Sequence, residues 1–141
     1  ISQSVVITRM AGRTPVPEKE SVRSFAAHQA TMVLFLSTGL LKELSAELME
    51  GGYSEDTPAA IVYKATWPEQ KVLRCTVGTL EQTAKEADVT KTALIVVGEV
   101  LDGTYERSKL YDPTFTTEFR QASCSKKDSG QNGDDQNIEK R

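Results

Sequence analysis

The first candidate site is a pair of arginines on a proline-containing loop. Arg9 and Arg13 flank the run Met-Ala-Gly directly after an apolar segment, and Pro15 and Pro17 restrict the chain that follows. Guanidinium groups bind carboxylates through paired hydrogen bonds, so this loop suits a ligand with several carboxylates. The alternative, which the sequence leaves equally open, is a pair of solvated surface arginines.

The second candidate is the run of residues 58–68, which reads Pro-Ala-Ala-Ile-Val-Tyr-Lys-Ala-Thr-Trp-Pro. Small residues near the end of a strand let a ligand approach the backbone, and α/β sheets bind ligands at that edge. The alternative is a strand, a turn and a packed tryptophan. A third segment, residues 37–39 (Ser-Thr-Gly), forms a strand-to-helix turn whose amides could meet a polar ligand, which is a weak signal by itself.

Other catalytic chemistry has little support in the sequence. It contains no Gly-x-Gly-x-x-Gly, P-loop, His-Glu-x-x-His or Gly-x-Ser-x-Gly motif. The single histidine, His28, is interpreted as a surface or capping residue, because a lone histidine lacks the partners that a catalytic triad needs. Cys75 is interpreted as a small packed side chain. Two cysteines are too few for a disulfide framework. Together with a single histidine they do not support a zinc cluster.

Composition argues against further classes of function. The 141 residues carry 17 basic and 20 acidic side chains, a net charge of −3, whereas sequence-independent nucleic-acid binding needs a basic face. No apolar run is longer than five residues, as in residues 32–36, which is far shorter than the roughly 20 residues of a membrane span. No signal peptide is visible, so we expect a cytoplasmic protein with no nucleic-acid or membrane partner. Because the chain opens on Ile1, almost directly in a strand, we also expect it to be a piece of a longer protein.

These candidate residues need a scaffold, and the apolar pattern predicts strands that alternate with helices. The predicted strands cover residues 4–9, 31–36, 59–65, 72–77 and 93–100. The predicted helices run from Pro17 to about Gln29 with Val22, Phe25 and Ala26 buried, from Leu40 to Gly51 with Leu40, Leu44 and Leu48 on one stripe, and from a Thr79–Gln82 capping box to about Asp88. A turn at residues 67–70 adds a hairpin, so we predict an α/β fold: a mixed five-stranded sheet with helices on both faces.

The same pattern divides the chain into three parts. Residues 1–103 are expected to form the α/β domain. Residues 104–122 contain aromatic anchors such as Tyr105 and Phe115 in a polar segment, and we expect them to wrap over the domain or contact a partner. Residues 123–141 are nearly devoid of apolar side chains and are predicted to be a disordered tail.

Taken together, these segments resemble the tetrapyrrole (corrin and porphyrin) methylases. That family has an apolar strand that ends near a cofactor-contacting residue, then a helix, then a strand of the form Pro-x-Ala-x-Val-x-x-Gly-Thr. Here the first strand ends at Leu36, where relatives often have Met, and the second is residues 58–66 with Ala65 in place of the usual Gly. Residues 8–17, 63–68 and 107–112 resemble the precorrin-4 C(11)-methyltransferase branch in particular. The resemblance covers about residues 4–120.

The resemblance implies a two-domain enzyme that uses S-adenosylmethionine, of which this chain is the second domain. It implies that Leu36 and Ala65 touch the adenosine part of the cofactor and that Ala60 and Thr66 flank that contact. Our own inference is that Arg9, Arg13 and Lys64 meet substrate carboxylates. Methyl transfer from a sulfonium depends on positioning and on exclusion of water, so no catalytic side chain and no metal is expected.

Two functions of different classes follow. The first is methylation of precorrin-4 or cobalt-precorrin-4 at ring carbon 11 in cobalamin biosynthesis, with the first domain supplied from outside this chain and a homodimer expected. The second is a non-catalytic dimerisation or ligand-binding module of the same fold. A related tetrapyrrole methylase with another substrate also stays open.

Overall fold

A computed structural model of the protein describes residues 2–35 and 38–103. Within these residues the regular elements are β1 (Val5–Arg9), α1 (Val22–Ala26), β2 (Thr31–Phe35), α2 (Leu41–Gly51), β3 (Pro58–Tyr63), β4 (Lys71–Thr76), α3 (Leu80–Glu86) and β5 (Ala93–Val97). Short 3-10 turns cover Glu18–Glu20, Thr38–Leu40, Val77–Thr79 and Glu99–Leu101. The expected wrapping segment 104–122 and tail 123–141 lie outside the described residues.

The five strands form one mixed sheet in the order β1-β2-β5-β3-β4. Strand β1 pairs parallel with β2, and the β2–β5, β5–β3 and β3–β4 pairs are antiparallel. The chain thus inserts its last strand between β2 and β3, so the start of β5 lies at the edge where β2 and β3 end. The predicted mixed five-stranded sheet is confirmed.

The core lies between one face of the sheet and the three helices. The sheet contributes Met32, Leu34, Ile61, Ile95 and Val97, and the helices contribute Val22 and Ala26 from α1, Leu41, Leu44 and Leu48 from α2, and Leu80 and Ala84 from α3. The expected layer of helices on both faces is therefore not found in the described part of the chain, where all three α-helices share one core. The apolar stripe of each helix packs against alternate residues of the strands, whose side chains point to the same face of the sheet.

The opposite face of the sheet exposes several large apolar side chains. Val5 and Ile7 on the edge strand β1 are 61% and 68% exposed, and Phe35 and Val72 are also exposed. The strand register places Ile7 beside Val33 and Val5 beside Thr31, so these residues belong to one surface.

The predicted helix from Pro17 to Gln29 is wrong in its continuity. Ser21 has an extended conformation, with φ of −63° and ψ of 153°, and it separates the 3-10 turn from α1. Its hydroxyl accepts a hydrogen bond from the backbone N–H of Ser24 at 3.2 Å, which is the geometry of an N-cap. Serine therefore starts a short helix here instead of continuing a longer one.

The capping box predicted at Thr79 and Gln82 is also wrong. The reciprocal pair is Thr76 and Thr79, and the Thr76 N–H donates to Thr79 Oγ1 at 3.0 Å. The chain enters α3 through a 3-10 turn, so the capping interaction precedes the α-helix by one turn. The Gln82 amide instead donates to Glu86 Oε1 at 2.8 Å.

Two other boundaries differ by a few residues. Leu40 lies in a 3-10 turn, so the buried stripe of α2 is Leu41, Leu44 and Leu48, and the helix ends as predicted where Gly52 adopts a φ of 125°. Strand β5 stops at Val97, because Gly98 has a φ of 138° and turns the chain. Among the described residues no helix is both long and apolar enough to cross a membrane.

Candidate functional site

A cavity of about 390 Å³ opens at the edge of the sheet where β2 and β3 end and β5 begins. Phe35 comes from the end of β2, Val62 from β3, and Leu94 from the start of β5. The volume lies within the range of about 300–1,000 Å³ that is typical of ligand sites. The antiparallel insertion of β5 is what brings these three strand ends together.

The lining of the cavity combines apolar and cationic side chains. Val62, Leu94 and Ala65 provide apolar surface, and we call Lys64, Lys91 and the exposed Trp67 the rim. An apolar pocket with a few polar groups at its mouth fixes the orientation of a ligand that has one flat apolar part and one charged part.

The backbone around the cavity is held in an unusual conformation. Lys64, Thr66 and Thr92 have positive φ values of 46°, 71° and 59°. The Lys64 N–H donates to the Thr92 carbonyl at 2.8 Å, and the Thr66 N–H donates to the Gln70 side-chain oxygen at 2.7 Å. Left-handed backbone is costly for residues other than glycine, and such strain clusters at functional sites. The hairpin loop that joins β3 to β4 is therefore fixed by the hydrogen bonds around it.

The Lys64 side chain is positioned by two aromatic rings. Its Nζ lies 5.4 Å from the centroid of the Tyr63 ring and 5.3 Å from that of the Trp67 ring, within the range of cation–π contacts. Glu69 is the acidic neighbour, with 3.9 Å between Nζ and Oε1, too long for a strong hydrogen bond. The Lys64 side chain is 25% exposed, so the ammonium group is held at the mouth of the cavity and is still accessible.

The side chain of Arg9 contacts its own loop, which is not the environment expected of a ligand-binding arginine. It follows β1 at the same edge and is paired in register with Phe35. Its guanidinium donates to the carbonyls of Met10 at 3.3 Å, Thr14 at 3.2 Å and Pro15 at 3.1 Å. Arg9 thus holds the proline-containing loop in shape, and Arg13 is exposed on that same loop.

The predicted cofactor contacts divide between the cavity and its surroundings. Ala65 lines the cavity, and Thr66 is the next residue of the hairpin loop. Ala60 is buried in β3, opposite Val96, two residues before Val62 on the same face. Leu36 lies outside the described residues.

The candidate run of residues 58–68 already contained Lys64 and Trp67, so sequence reasoning missed one residue of the rim. Trp67 is 54% exposed, so the alternative interpretation of a packed tryptophan is wrong. Lys91 was not singled out, because its position beside Lys64 depends on where β5 enters the sheet. The exposure of Trp67 had one signal in the sequence, the turn Trp-Pro-Glu-Gln, which is typical of an exposed loop.

The remaining chemistry-bearing residues do not form a second centre in the part of the chain that is described. No group of three or more His, Cys, Asp or Glu side chains there could hold a metal ion. Cys75 packs against the core, and burial raises the pKa of its thiol while a hydrogen bond with Thr83 lowers it. Its interpretation as a small packed side chain agrees with this environment.

The fold and the edge cavity define a mixed α/β domain, and solved proteins named methyltransferases share this fold. The solved cobalt precorrin-4 methyltransferase, a cobalamin biosynthetic enzyme, superposes with a TM-score of 0.70 at 46% identity, over 72% of this chain and 42% of that chain. The uroporphyrin-III C-methyl transferase of Thermus thermophilus shares the fold, with a TM-score of 0.59 at 19% identity, over 75% of this chain and 44% of that chain.

The sequence comparison specifies the family. Residues 1–81 match the Tetrapyrrole (Corrin/Porphyrin) Methylases, and the chain belongs to this family. It is 48% identical over 123 residues to the cobalt-precorrin-4 C(11)-methyltransferase of Methanocaldococcus jannaschii, covering 86% of this chain and 48% of that protein. It is 38% identical over 122 residues to the precorrin-4 C(11)-methyltransferase of a Sinorhizobium species, covering 85% and 48%. The chain thus spans about half the length of the curated relatives it matches, and the predicted family resemblance is confirmed.

Proposed function

We propose that this chain is the second half of an S-adenosylmethionine-dependent methyltransferase that acts on precorrin-4 or cobalt-precorrin-4 at ring carbon 11 in cobalamin biosynthesis. The observation that carries the proposal is the 48% identity over 123 residues to a protein of that name. The edge cavity supports it, because the residues that resemble the family motif lie in or beside that cavity.

The residues of the cavity fit S-adenosylmethionine in chemical type. Val62, Leu94 and Ala65 offer an apolar wall for adenosine, and Lys91 offers an ammonium group for the methionine carboxylate. A fold neighbour, the Thermus thermophilus uroporphyrin-III C-methyl transferase, was solved with S-adenosyl homocysteine. When bound, the cofactor supplies an electrophilic methyl group for in-line displacement by a nucleophilic ring carbon.

The contribution of this chain to that reaction is positioning. We propose that four residues form the adenosine side of the site: Leu36, Ala60, Ala65 and Thr66. The fixed hairpin loop keeps Ala65 at a constant place in the wall, since the Lys64 N–H and the Thr66 N–H are both hydrogen-bonded. A preorganised wall orients the reactants and keeps water away from the transferring group.

Arg9, Arg13 and Lys64 are proposed to serve the substrate carboxylates in two ways. Arg13 and Lys64 are exposed enough to contact a carboxylate directly. Arg9 acts through the loop, because three of its N–H groups already bind backbone carbonyls of residues 10–15. We infer a cytoplasmic location as well, since Cys75 is a free thiol and such thiols suit a reducing compartment.

Calorimetric titration with S-adenosylhomocysteine tests the cofactor part of the proposal. We expect the chain to bind, either alone or mixed with a separately produced first half of a relative. Ala65→Leu inserts a bulky side chain into the cavity wall and is expected to abolish the heat of binding. Ala27→Leu is the matched control, because Ala27 is exposed at the end of α1 and away from the cavity. Absence of binding in both samples would remove the cofactor roles of Leu36 and Ala65.

A second candidate function is a dimerisation or ligand-binding module without catalysis. The exposed apolar side chains of Val5, Ile7 and Phe35 on β1 and β2 favour it, because contiguous apolar surface marks interaction sites. A homodimer and the missing first domain are the proposed partners. Sedimentation of the wild type and of Ile7→Asp tests the interaction surface that both functions share: a dimer that dissociates in the variant supports an interface on β1 and β2, and a wild type that is already monomeric opposes it.

A further inference from the structure

The rim of the edge cavity contains a feature that the cofactor does not require. Trp67 is 54% exposed and is the one tryptophan in the sequence. Exposure of so large an apolar ring is costly unless a ligand or partner covers it. Its neighbour Lys64 is held between the Trp67 and Tyr63 rings, so the rim presents a flat aromatic surface with a fixed cation beside it.

The hairpin loop gives this surface a defined position. The Trp67 N–H donates to the Lys64 carbonyl at 3.0 Å, and the Gln70 N–H donates to the Trp67 carbonyl at 3.0 Å. Together with the positive φ values of Lys64 and Thr66, these hydrogen bonds fix the backbone that carries the indole ring. A side chain displayed on a preorganised loop loses little conformational entropy when it binds a ligand.

We propose that Trp67 and Lys64 form the substrate-recognition rim, on which the flat conjugated ring system of a carboxylate-bearing ligand lies against the indole while Lys64 binds one of its carboxylates. The identity of this ligand as the tetrapyrrole substrate rests on the proposed function. The assignment makes Trp67 a specificity-determining residue of that site.

The chemistry distinguishes this ligand from simple anions. A small anion such as phosphate needs the cations alone, whereas a macrocycle with carboxylate side chains uses the indole surface and the ammonium group at the same time. Glu69, whose Oε1 lies 3.9 Å from Lys64 Nζ, competes with any anion for this ammonium group, so stacking on Trp67 must add to the affinity of the ligand. S-adenosylmethionine also carries a flat base and a carboxylate, so the experiment has to separate the two sources.

The test is calorimetric titration of the 141-residue chain with uroporphyrin III, a stable carboxylate-rich tetrapyrrole, and in parallel with S-adenosylhomocysteine. We expect Trp67→Ala to weaken uroporphyrin binding about three- to tenfold and Trp67→Phe to restore most of it. We expect Lys64→Gln to weaken it about fivefold and the wild-type affinity to fall with added salt. Lys19→Gln, on an exposed turn away from the cavity, is the matched control and should leave binding unchanged.

The outcomes separate this inference from the proposed function. Trp67→Ala and Lys64→Gln should lose less affinity for S-adenosylhomocysteine than for uroporphyrin, and their melting temperatures show whether they are folded. Absence of uroporphyrin binding to the wild type, or an equal loss of S-adenosylhomocysteine affinity in Trp67→Ala, overturns the substrate-recognition rim. If the chain binds uroporphyrin through Trp67 but never binds S-adenosylhomocysteine, the cofactor proposal fails and the rim stands.

Discussion

The left-handed backbone of Lys64 leads to a measurable difference between two variants at one position. Lys64→Ala removes the contacts of the side chain and keeps the costly φ of 46°, whereas Lys64→Gly removes the same contacts and makes that φ readily accessible. The two variants therefore separate the cost of the backbone conformation from the value of the side chain.

The magnitudes follow from the structure. Two cation–π contacts at an accessible site contribute about 0.5–1 kcal/mol each, so Lys64→Ala should lose about 1–2 kcal/mol of unfolding free energy. The Glu69 contact at 3.9 Å adds close to zero, because that carboxylate is exposed. Glycine relieves about 1–2 kcal/mol of left-handed strain, but its greater conformational freedom in the unfolded chain lowers the unfolding free energy by about 0.5–1 kcal/mol. Lys64→Gly should therefore recover about 0.5–1 kcal/mol relative to Lys64→Ala.

Urea unfolding followed by far-ultraviolet circular dichroism measures this difference without relying on the emission of Trp67. The expected order of stability is wild type, then Lys64→Gly, then Lys64→Ala. If alanine is as stable as glycine, the left-handed conformation costs only about the 0.5–1 kcal/mol that glycine loses through its freedom in the unfolded chain, and the strain of about 1–2 kcal/mol is refuted. If both variants equal the wild type, the two aromatic rings do not stabilise the lysine.

Three further predictions concern the scaffold. Gly51→Ala should destabilise the domain by about 1–3 kcal/mol in urea unfolding, because a Cβ there would lie 2.4 Å from the Ala26 Cβ and 2.6 Å from the Arg23 carbonyl; Gly39→Ala, with nothing within 4 Å, is the control. Tyr53→Phe should cost about 1–3 kcal/mol, because the buried hydroxyl donates to the Ala30 carbonyl. Burial raises the pKa of Tyr53, so wild-type stability should decline as pH rises above 10 while that of Tyr53→Phe declines less. Burial also raises the pKa of Cys75, so alkylation of its peptide by iodoacetamide at pH 8 should be slower in the folded chain than in urea.

Opposite results would correct particular statements. Equal stability of Gly51→Ala and Gly39→Ala would mean that α1 and α2 can separate without cost. A matching alkaline decline in wild type and Tyr53→Phe would remove Tyr53 as its source. Equal alkylation rates in the folded and unfolded chain would show that the Cys75 thiol is not protected by burial.

The sequence predicted the order of strands and helices because period and turn signals are local. Strand boundaries at Val5–Arg9 and Thr31–Phe35 were within a residue or two, since runs of β-branched and apolar side chains end at polar loops. The break at Ser21 was missed because serine is compatible both with a helix start and with a helix interior near its first turn. The Thr76–Thr79 capping pair was missed because the sequence does not show that a 3-10 turn comes first.

Only the part of the candidate site that lies within one stretch of sequence was predicted. Ala65 and Lys64 were identified because they follow a strand with a recognisable sequence, and both line the cavity. Lys91 was not found, since its place beside Lys64 requires the knowledge that β5 inserts antiparallel between β2 and β3. The role of Arg9 also changed, because only the structure shows that loop carbonyls accept its N–H groups.

The central claim is that this chain provides the second half of a precorrin-4 or cobalt-precorrin-4 methyltransferase. The most direct measurement is methyl transfer by a chimera in which this chain replaces the matching half of the Methanocaldococcus jannaschii relative, with which it shares 48% identity. With labelled S-adenosylmethionine and cobalt-precorrin-4, we predict labelled product, and its loss when Ala65→Leu is introduced. A folded chimera that binds S-adenosylhomocysteine and transfers no methyl group to either substrate would contradict the claim.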